Sequence, residues 1–265
     1  MADNFRDDRR SWKKVDSRYI VKGEDSEREY YAPIESPIRI TIASRESELD
    51  IGLFMRTPGA DRELVTGLLY NEGIIDDYNT ITNILMESGS IRVSLSNLSG
   101  YSQSSHRRSS LVTGSCGVCG RGDLHDHKSI QSEYKIERRE ILNLHKRSNE
   151  HQSTYMTTGG THGVSAFDGE GNLIATMEDV GRHNAMDKVT GVMIALNVVP
   201  EVCILSGRVS YELVQKAIRT GYSVVSAVGS ASTMAIQVAR EHDLTLISFA
   251  RDDRMTILSS PRRIV

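Results

Sequence analysis

Val202-Cys203-Ile204-Leu205-Ser206-Gly207-Arg208-Val209-Ser210-Tyr211-Glu212-Leu213-Val214 is the stretch on which the fold turns. Four consecutive apolar residues make a short strand buried on both faces, a turn of small residues follows, and residues 211–220 read as a helix that Gly221 stops. The unit recurs downstream, with a strand over 223–227, a helix over 233–241 and a strand over 244–249. Upstream, 154–157, 163–167 and 173–177 read as strands and 182–197 as a long helix. Such alternation predicts a mainly buried sheet covered by helices, a three-layer α/β domain over 151–265, whose ligands sit at the carboxyl ends of the strands.

Outward from this domain the pattern weakens. Residues 38–43 and 91–95 alternate apolar with polar, and 61–72 carries Leu64, Leu68 and Leu69 at helical spacing with Asp61 near its start. A smaller α+β domain over 21–100 is the reading. Residues 1–20 read as a charged, frayed tail. Residues 101–150, polar and glycine-serine-rich and then charge-rich over 135–147, read as a mobile connector.

Composition narrows the class. The chain has 265 residues, 38% hydrophobic and 25% charged, enough for proper hydrophobic cores. A formal net charge of −3 gives no general attraction to nucleic acid or to an anionic membrane surface, so anion binding must come from local clusters. No apolar run is long enough to span a bilayer, and the first ten residues lack the apolar core of a signal peptide. Three cysteines, an odd count, make no disulfide framework, and the expectation is a reducing, cytoplasmic location.

The unusual polar residues collect where the strands end. Thr157-Thr158-Gly159-Gly160-Thr161-His162 lets backbone N–H groups approach a phosphate or carbonyl, or is a plain turn. In Glu178-Asp179-Val180-Gly181-Arg182-His183-Asn184-Ala185-Met186-Asp187-Lys188, Asp179 reads as a helix N-cap. Arg182, His183, Asp187 and Lys188 then form either a binding cluster or a surface ion-pair network. Ser206-Gly207-Arg208-Val209-Ser210 sets an arginine at a helix start, where it can fork onto phosphate. Residues 226–232 add Gly229 and three serines. The last strand runs into Phe249-Ala250-Arg251-Asp252-Asp253-Arg254, an aromatic and two arginines suited to an anionic, ring-bearing ligand, or a solvated charge run.

A second constellation lies in Gly114-Ser115-Cys116-Gly117-Val118-Cys119-Gly120-Arg121-Gly122, which holds two of the three cysteines among four glycines. Three chemistries compete for the pair: a thiolate that attacks or carries sulfur, a dithiol that cycles with its disulfide, and half of a zinc site completed by His125 and His127. A structural disulfide is the fourth. Arg121 favours the thiolate form. Cys203, inside an apolar strand, reads as a small buried hydrophobe.

Taken together, Met55-Arg56-Thr57-Pro58-Gly59, Cys116-Gly117-Val118-Cys119-Gly120, Thr158-Gly159-Gly160, the segment from Glu178 to Ala185 and Ser206-Gly207-Arg208-Val209-Ser210-Tyr211-Glu212 resemble the FdhD family of formate dehydrogenase accessory sulfurtransferases. The resemblance covers about residues 35–256. It implies a sulfur carrier that takes persulfide sulfur from a cysteine desulfurase and passes it to the molybdenum cofactor, bis(molybdopterin guanine dinucleotide), for a molybdenum-dependent formate dehydrogenase. It further implies a homodimer and a C-terminal domain resembling the cytidine-deaminase fold. The deaminase zinc pattern is missing, because Gly163 and Val164 follow His162 and the C-x-x-C pair lies upstream.

On this resemblance Cys116 takes the persulfide and Cys119 assists or is a second carrier. Residues 249–254 (Phe249, Ala250, Arg251, Asp252, Asp253 and Arg254) bind the cofactor. The strand-end residues Thr158, Gly159, Gly160, His162, Asp179, Arg182, His183, Asn184, Ser206, Gly207, Arg208 and Ser210 complete the expected site. GDP is the expected mimic, and no metal is assigned. The rival is a non-catalytic zinc- or cofactor-binding chaperone that gives Cys116, Cys119, His125 and His127 to metal.

Overall fold

The computed structural model describes residues 11–22, 24–44, 47–97 and 129–265. Cys116, Cys119, His125 and His127 lie outside the described residues, as does the connector up to residue 128. The chain opens not with a tail but with a ribbon. β1 (Trp12–Val21) pairs antiparallel with β2 (Glu24–Pro33), with Trp12 opposite Pro33 and Val21 opposite Glu24. The charges that suggested a solvated tail are paired across the strands, Lys14 with Glu29 and Arg18 with Asp25. On the other face the Arg28 guanidinium lies 3.9 Å from the centre of the Tyr19 ring.

The smaller sheet has the order β4-β3-β6-β5, from β3 (Ser36–Ala43), β4 (Glu48–Arg56), β5 (Ile81–Glu87) and β6 (Ser90–Leu95). Its inward residues Ile38, Ile40, Ile42, Ile91 and Val93 are buried against Val65, Leu68 and Leu69 of α1 (Asp61–Asn71). Alternation in β3 and β6 was legible because only one face of this sheet is covered.

The larger sheet has six strands in the order β12-β11-β10-β9-β7-β8. These are β7 (His162–Phe167), β8 (Leu173–Asp179), β9 (Val202–Leu205), β10 (Val224–Ala227), β11 (Thr245–Arg251) and β12 (Arg254–Ser259). β9, β10 and β11 are parallel, while β7, β8 and β12 run antiparallel to their neighbours. On one face lie α4 (Arg182–Leu196), α5 (Tyr211–Thr220) and α6 (Thr233–Glu241), over Cys203, Leu205, Val225 and Leu246. On the other lies α2 (Arg138–Glu150), over Val202, Ile204, Val224 and Ile247. The three-layer expectation is met, and the end of the expected connector is the helix of the third layer. Its buried positions, Ile141, Leu144, His145 and Ser148, follow helical spacing, but two of the four are polar. Those two bond the sheet: His145 Nε2 lies 2.8 Å from Ser226 Oγ and Ser148 Oγ 2.7 Å from Ser165 Oγ.

One further element departs from the sequence reading. Residues 154–157, expected as a strand, belong to a short helix, α3 (Ser153–Thr158), ended by Gly159 at φ +65°.

The two units join at a crossing of α1 with α4. A Cβ on Gly67 would stand 1.8 Å from the Asp187 carbonyl oxygen, and one on Gly191 would stand 2.0 Å from the Glu63 carbonyl oxygen. The helix backbones touch where side chains would normally separate them. Gly67→Ala is therefore expected to force the helices apart and to lower stability by about 3 kcal/mol or more, read by urea denaturation. A variant with unchanged midpoint would show that the crossing is loose.

Candidate functional site

The strand register gathers the polar loops on one edge of the larger sheet. Because β7 is antiparallel to both β8 and β9, with His162 opposite Asp179 and Val164 opposite Leu205, the start of β7 and the ends of β8, β9, β10 and β11 meet there. The loops are stitched in order. Gly163 N donates to Ser206 Oγ at 2.9 Å, Gly229 N to the Gly207 carbonyl at 3.1 Å, and Phe249 N to the Gly229 carbonyl at 3.3 Å. Gly207 is needed at this edge, since a Cβ there would stand 3.0 Å from His162 Nδ1.

The edge is cationic through its arginines and not through its histidines. Arg208 is exposed, and Arg182, in the first turn of α4, has a buried Nε with no hydrogen-bond partner. Burial, and then the charges of Arg182 and Arg208, hold the His162 pKa below its usual value. No described residue hydrogen-bonds its ring. Burial likewise lowers His183, with Lys216 and Arg182 adding to the effect; His183 Nε2 lies 3.1 Å from Ser210 Oγ and 3.7 Å from Glu212. At neutral pH both imidazoles are uncharged, leaving the arginines and the first-turn N–H groups of α4 for an anion.

Asp179 and Asn184 are turned away from this edge. Gly181, not Asp179, is the N-cap residue of α4. The Asp179 carboxylate is fully buried and accepts from Thr57 N at 3.0 Å, Gly181 N at 2.9 Å and Asn184 Nδ2 at 3.0 Å, and pairs with Lys188 Nζ at 2.8 Å. Asn184 Nδ2 also donates to the Met55 carbonyl at 2.8 Å, and Lys188 Nζ to the Thr57 carbonyl at 2.9 Å. The expected surface network is buried too, with Asp187 bonded to Lys216 Nζ at 2.6 Å and to Asn71 Nδ2 at 2.7 Å. These charges hold the smaller unit to the larger one beneath the site.

Sequence reasoning missed the α3 side of the edge. Glu178, at the end of β8, accepts from Thr154 N at 2.9 Å, Tyr155 N at 2.7 Å and Thr161 Oγ1 at 2.9 Å. This carboxylate fixes α3 and the entry to β7 as one wall. Ser11 Oγ, at the root of the ribbon, lies 2.8 Å from Thr154 Oγ1 on the same wall. A cavity of about 480 Å³ opens beside it, between α2, α3 and the strand ends, with Gly159, Gly160 and His162 in its lining. The helical spacing of 141, 144, 145 and 148 was the signal that could have placed α2 here.

At the far end of the edge, residues 249–254 form a hairpin with the two-residue turn Asp252-Asp253 and Arg251 directly opposite Arg254. A register shift follows Ser248, and Phe249 takes φ +55° with its side chain half-exposed. Positive φ is costly for an aromatic residue, and such strain collects at binding sites. Ala250 is buried in the α2-side core, so within this segment the exposed side chains are Phe249, Arg251, Asp252, Asp253 and Arg254.

The chain matches the model of the FdhD/NarQ family over residues 33–265. It is 37% identical over 240 residues to a protein of Picrophilus torridus named sulfur carrier protein FdhD, covering 88% of this chain and 91% of that one. A protein of the same name from Saccharolobus solfataricus is 34% identical over 252 residues, covering 92% and 96%. The crystal structure of a protein of Desulfotalea psychrophila, provisionally described as a formate dehydrogenase accessory protein, superposes with a TM-score of 0.81 at 23% identity, over 97% of this chain and all of that one.

Two outcomes follow from the buried charges and imidazoles. Lys188→Met leaves Asp179 ionised and unpaired in the interior, and is expected to cost about 3–5 kcal/mol in urea denaturation at pH 7. His145, whose burial pushes its pKa from 6.5 down to about 4, is neutral in the folded chain and protonated in the unfolded one between those values. Its contribution is complete above about pH 6.5 and is lost as pH falls toward 4, by at most about 1.4 kcal/mol per pH unit. His145→Gln should give a shallower loss over that range, and an unchanged slope would remove the assignment.

Proposed function

We propose, from the premise that this chain belongs to the FdhD/NarQ family, that it is a cytoplasmic sulfur carrier in the maturation of a molybdenum-dependent formate dehydrogenase. The match along nearly the whole chain to relatives named as sulfur carriers carries this reading. The state of the third cysteine supports it. Cys203 is sealed in β9, and burial raises its thiol well above the ordinary range. Exchange chemistry is thereby left to Cys116 and Cys119.

In the proposed reaction the Cys116 thiolate attacks the outer sulfur of a persulfide on a cysteine desulfurase. The donor's S–S bond breaks, its thiolate leaves, and a new S–S bond holds the sulfane sulfur on Cys116 without net oxidation. Cys119 assists or carries the sulfur onward. The acceptor we assign is bis(molybdopterin guanine dinucleotide), taken as substrate on the larger domain, a scaffold we place with the cytidine-deaminase-like class.

The chemistry of the strand edge fits a dinucleotide. Arg251 and Arg254 face each other across the hairpin as a like-charge pair that an anion between them would relieve. Arg208 supplies a fork for phosphate, and Phe249 offers a ring face. The family resemblance adds a homodimer as the working form.

Mass spectrometry after incubation with a desulfurase and cysteine tests the carrier step: added sulfur is expected on Cys116. Cys116→Ala should abolish loading and enzyme maturation with an unchanged melting temperature. Cys203→Ala should lower stability by about 1 kcal/mol and leave transfer intact. One zinc per chain held by Cys116 and Cys119, with no sulfur loading, would replace the carrier by a metal-binding chaperone.

Calorimetry tests the edge. GDP is expected to bind more tightly than ADP, and Arg208→Ala and Arg254→Ala to weaken GDP about tenfold each. Equal affinity for the two nucleotides, or unchanged binding in both variants, would remove the dinucleotide assignment.

A further inference from the structure

The cavity beside α3 differs in chemistry from the arginine edge it adjoins. Among its lining residues no lysine, arginine or carboxylate is present, and its volume of about 480 Å³ is within the range of small-molecule sites. Its polar groups are amides, hydroxyls and an uncharged imidazole.

Their hydrogen-bond account is incomplete in a patterned way. Gln152 is only 2% exposed, and its Nε2 is spent on the Ser148 carbonyl at 3.2 Å, Ser148 Oγ at 3.2 Å and Asn149 Oδ1 at 3.3 Å. Among the described residues nothing donates to its Oε1. An amide carbonyl held at a cavity wall without a donor costs about 1–3 kcal/mol, which a ligand N–H would recover. Beside it the free valences are donors. Asn149 uses its oxygen on Gln152 and keeps its NH2, while Ser206 Oγ accepts from Gly163 N and keeps its O–H. The acceptor is rigidly built, because the Gln152 amide lies against Gly163, where a Cβ would stand 2.3 Å from Gln152 Cδ.

An immobilised acceptor flanked by donors is the complement of a ring edge that offers N–H beside C=O. We propose that this cavity recognises the 2-amino-4-oxopyrimidine edge shared by guanine and pterin rings, through Gln152, Asn149 and Ser206. Adenine lacks that edge. The assignment rests on the dinucleotide reading above and deepens it: the arginine edge takes phosphate, and the neutral cavity reads a heterocycle of the same substrate. His162 stands in both linings.

The test uses the full chain with guanosine, 6-hydroxymethylpterin and adenosine as probes. Guanosine or the pterin should bind at least about tenfold more tightly than adenosine, and Gln152→Met should remove that margin. Asn149→Ala, at an exposed position, should weaken the same probe by a smaller factor with the fold intact. A third readout needs no variant. Met156, 74% exposed at the cavity, should be oxidised more slowly by peroxide when the probe is bound. Guanosine alone binding would identify the nucleotide end as the source, the pterin alone the other end, and mutual competition would assign both to one cavity. If neither probe binds, the proposal is wrong. If GDP binds through Arg208 while Gln152→Met, Asn149→Ala and Met156 protection leave every affinity and rate unmoved, the cavity assignment falls and the dinucleotide reading stands. Failure of sulfur loading on Cys116 would strike the carrier reading and leave the cavity result untouched.

Discussion

Everything at the strand edge depends on two helices touching backbone to backbone. Gly67 and Gly191 allow α1 and α4 to approach until a single methyl on either would collide with a carbonyl. At that distance Thr57 can hold Asp179 and Lys188 can reach the Thr57 carbonyl, so buried charges of the larger unit are completed by the backbone of the smaller. Buried ion pairs contribute little net stability, but removing one member is costly. Here they fix how the two units are seated, and with that the position of the first turn of α4.

Above this seam the site follows from parity in the sheet. Two antiparallel strands at one side bring the start of β7 and the end of β8 to the edge where the parallel strands finish. Loops from distant parts of the chain then meet and bond to each other. Their glycines bring backbone to within contact of backbone, and Glu178 holds α3 against them with three hydrogen bonds. The edge divides into two environments, one charged through arginine and one neutral through amides and hydroxyls. A ligand carrying both phosphate and a polar ring would use both.

The family motifs divide in the same way. The segment from Glu178 to Ala185 reads as one polar cluster, yet Asp179, Asn184 and the nearby Lys188 point into the seam while Arg182 and His183 stand at the edge. A helix start distributes its residues around a circle, and spacing alone does not say which side is core. Asp187 illustrates the point: its face was legible as shared with His183 and Lys188, but its burial against Lys216 and Asn71 was not.

What the sequence by itself determined was the α/β alternation from residue 163 onward, the smaller α+β unit, the isolation of Cys203 and the collection of polar loops at strand ends. Each is a local matter of periodicity, apolar runs and turn residues, which neighbouring positions settle among themselves. Only the tertiary structure decided the ribbon at 12–33, whose charges are satisfied across a strand pair, and α2, whose inward face is half polar because serine and histidine bond to serines in the sheet. It alone decided α3, which a carboxylate more than twenty positions away holds in place, and the cavity that α2 and α3 enclose. Those features are made by partners distant in the chain, and hydrogen bonding and burial between such partners leave no periodic mark in either segment.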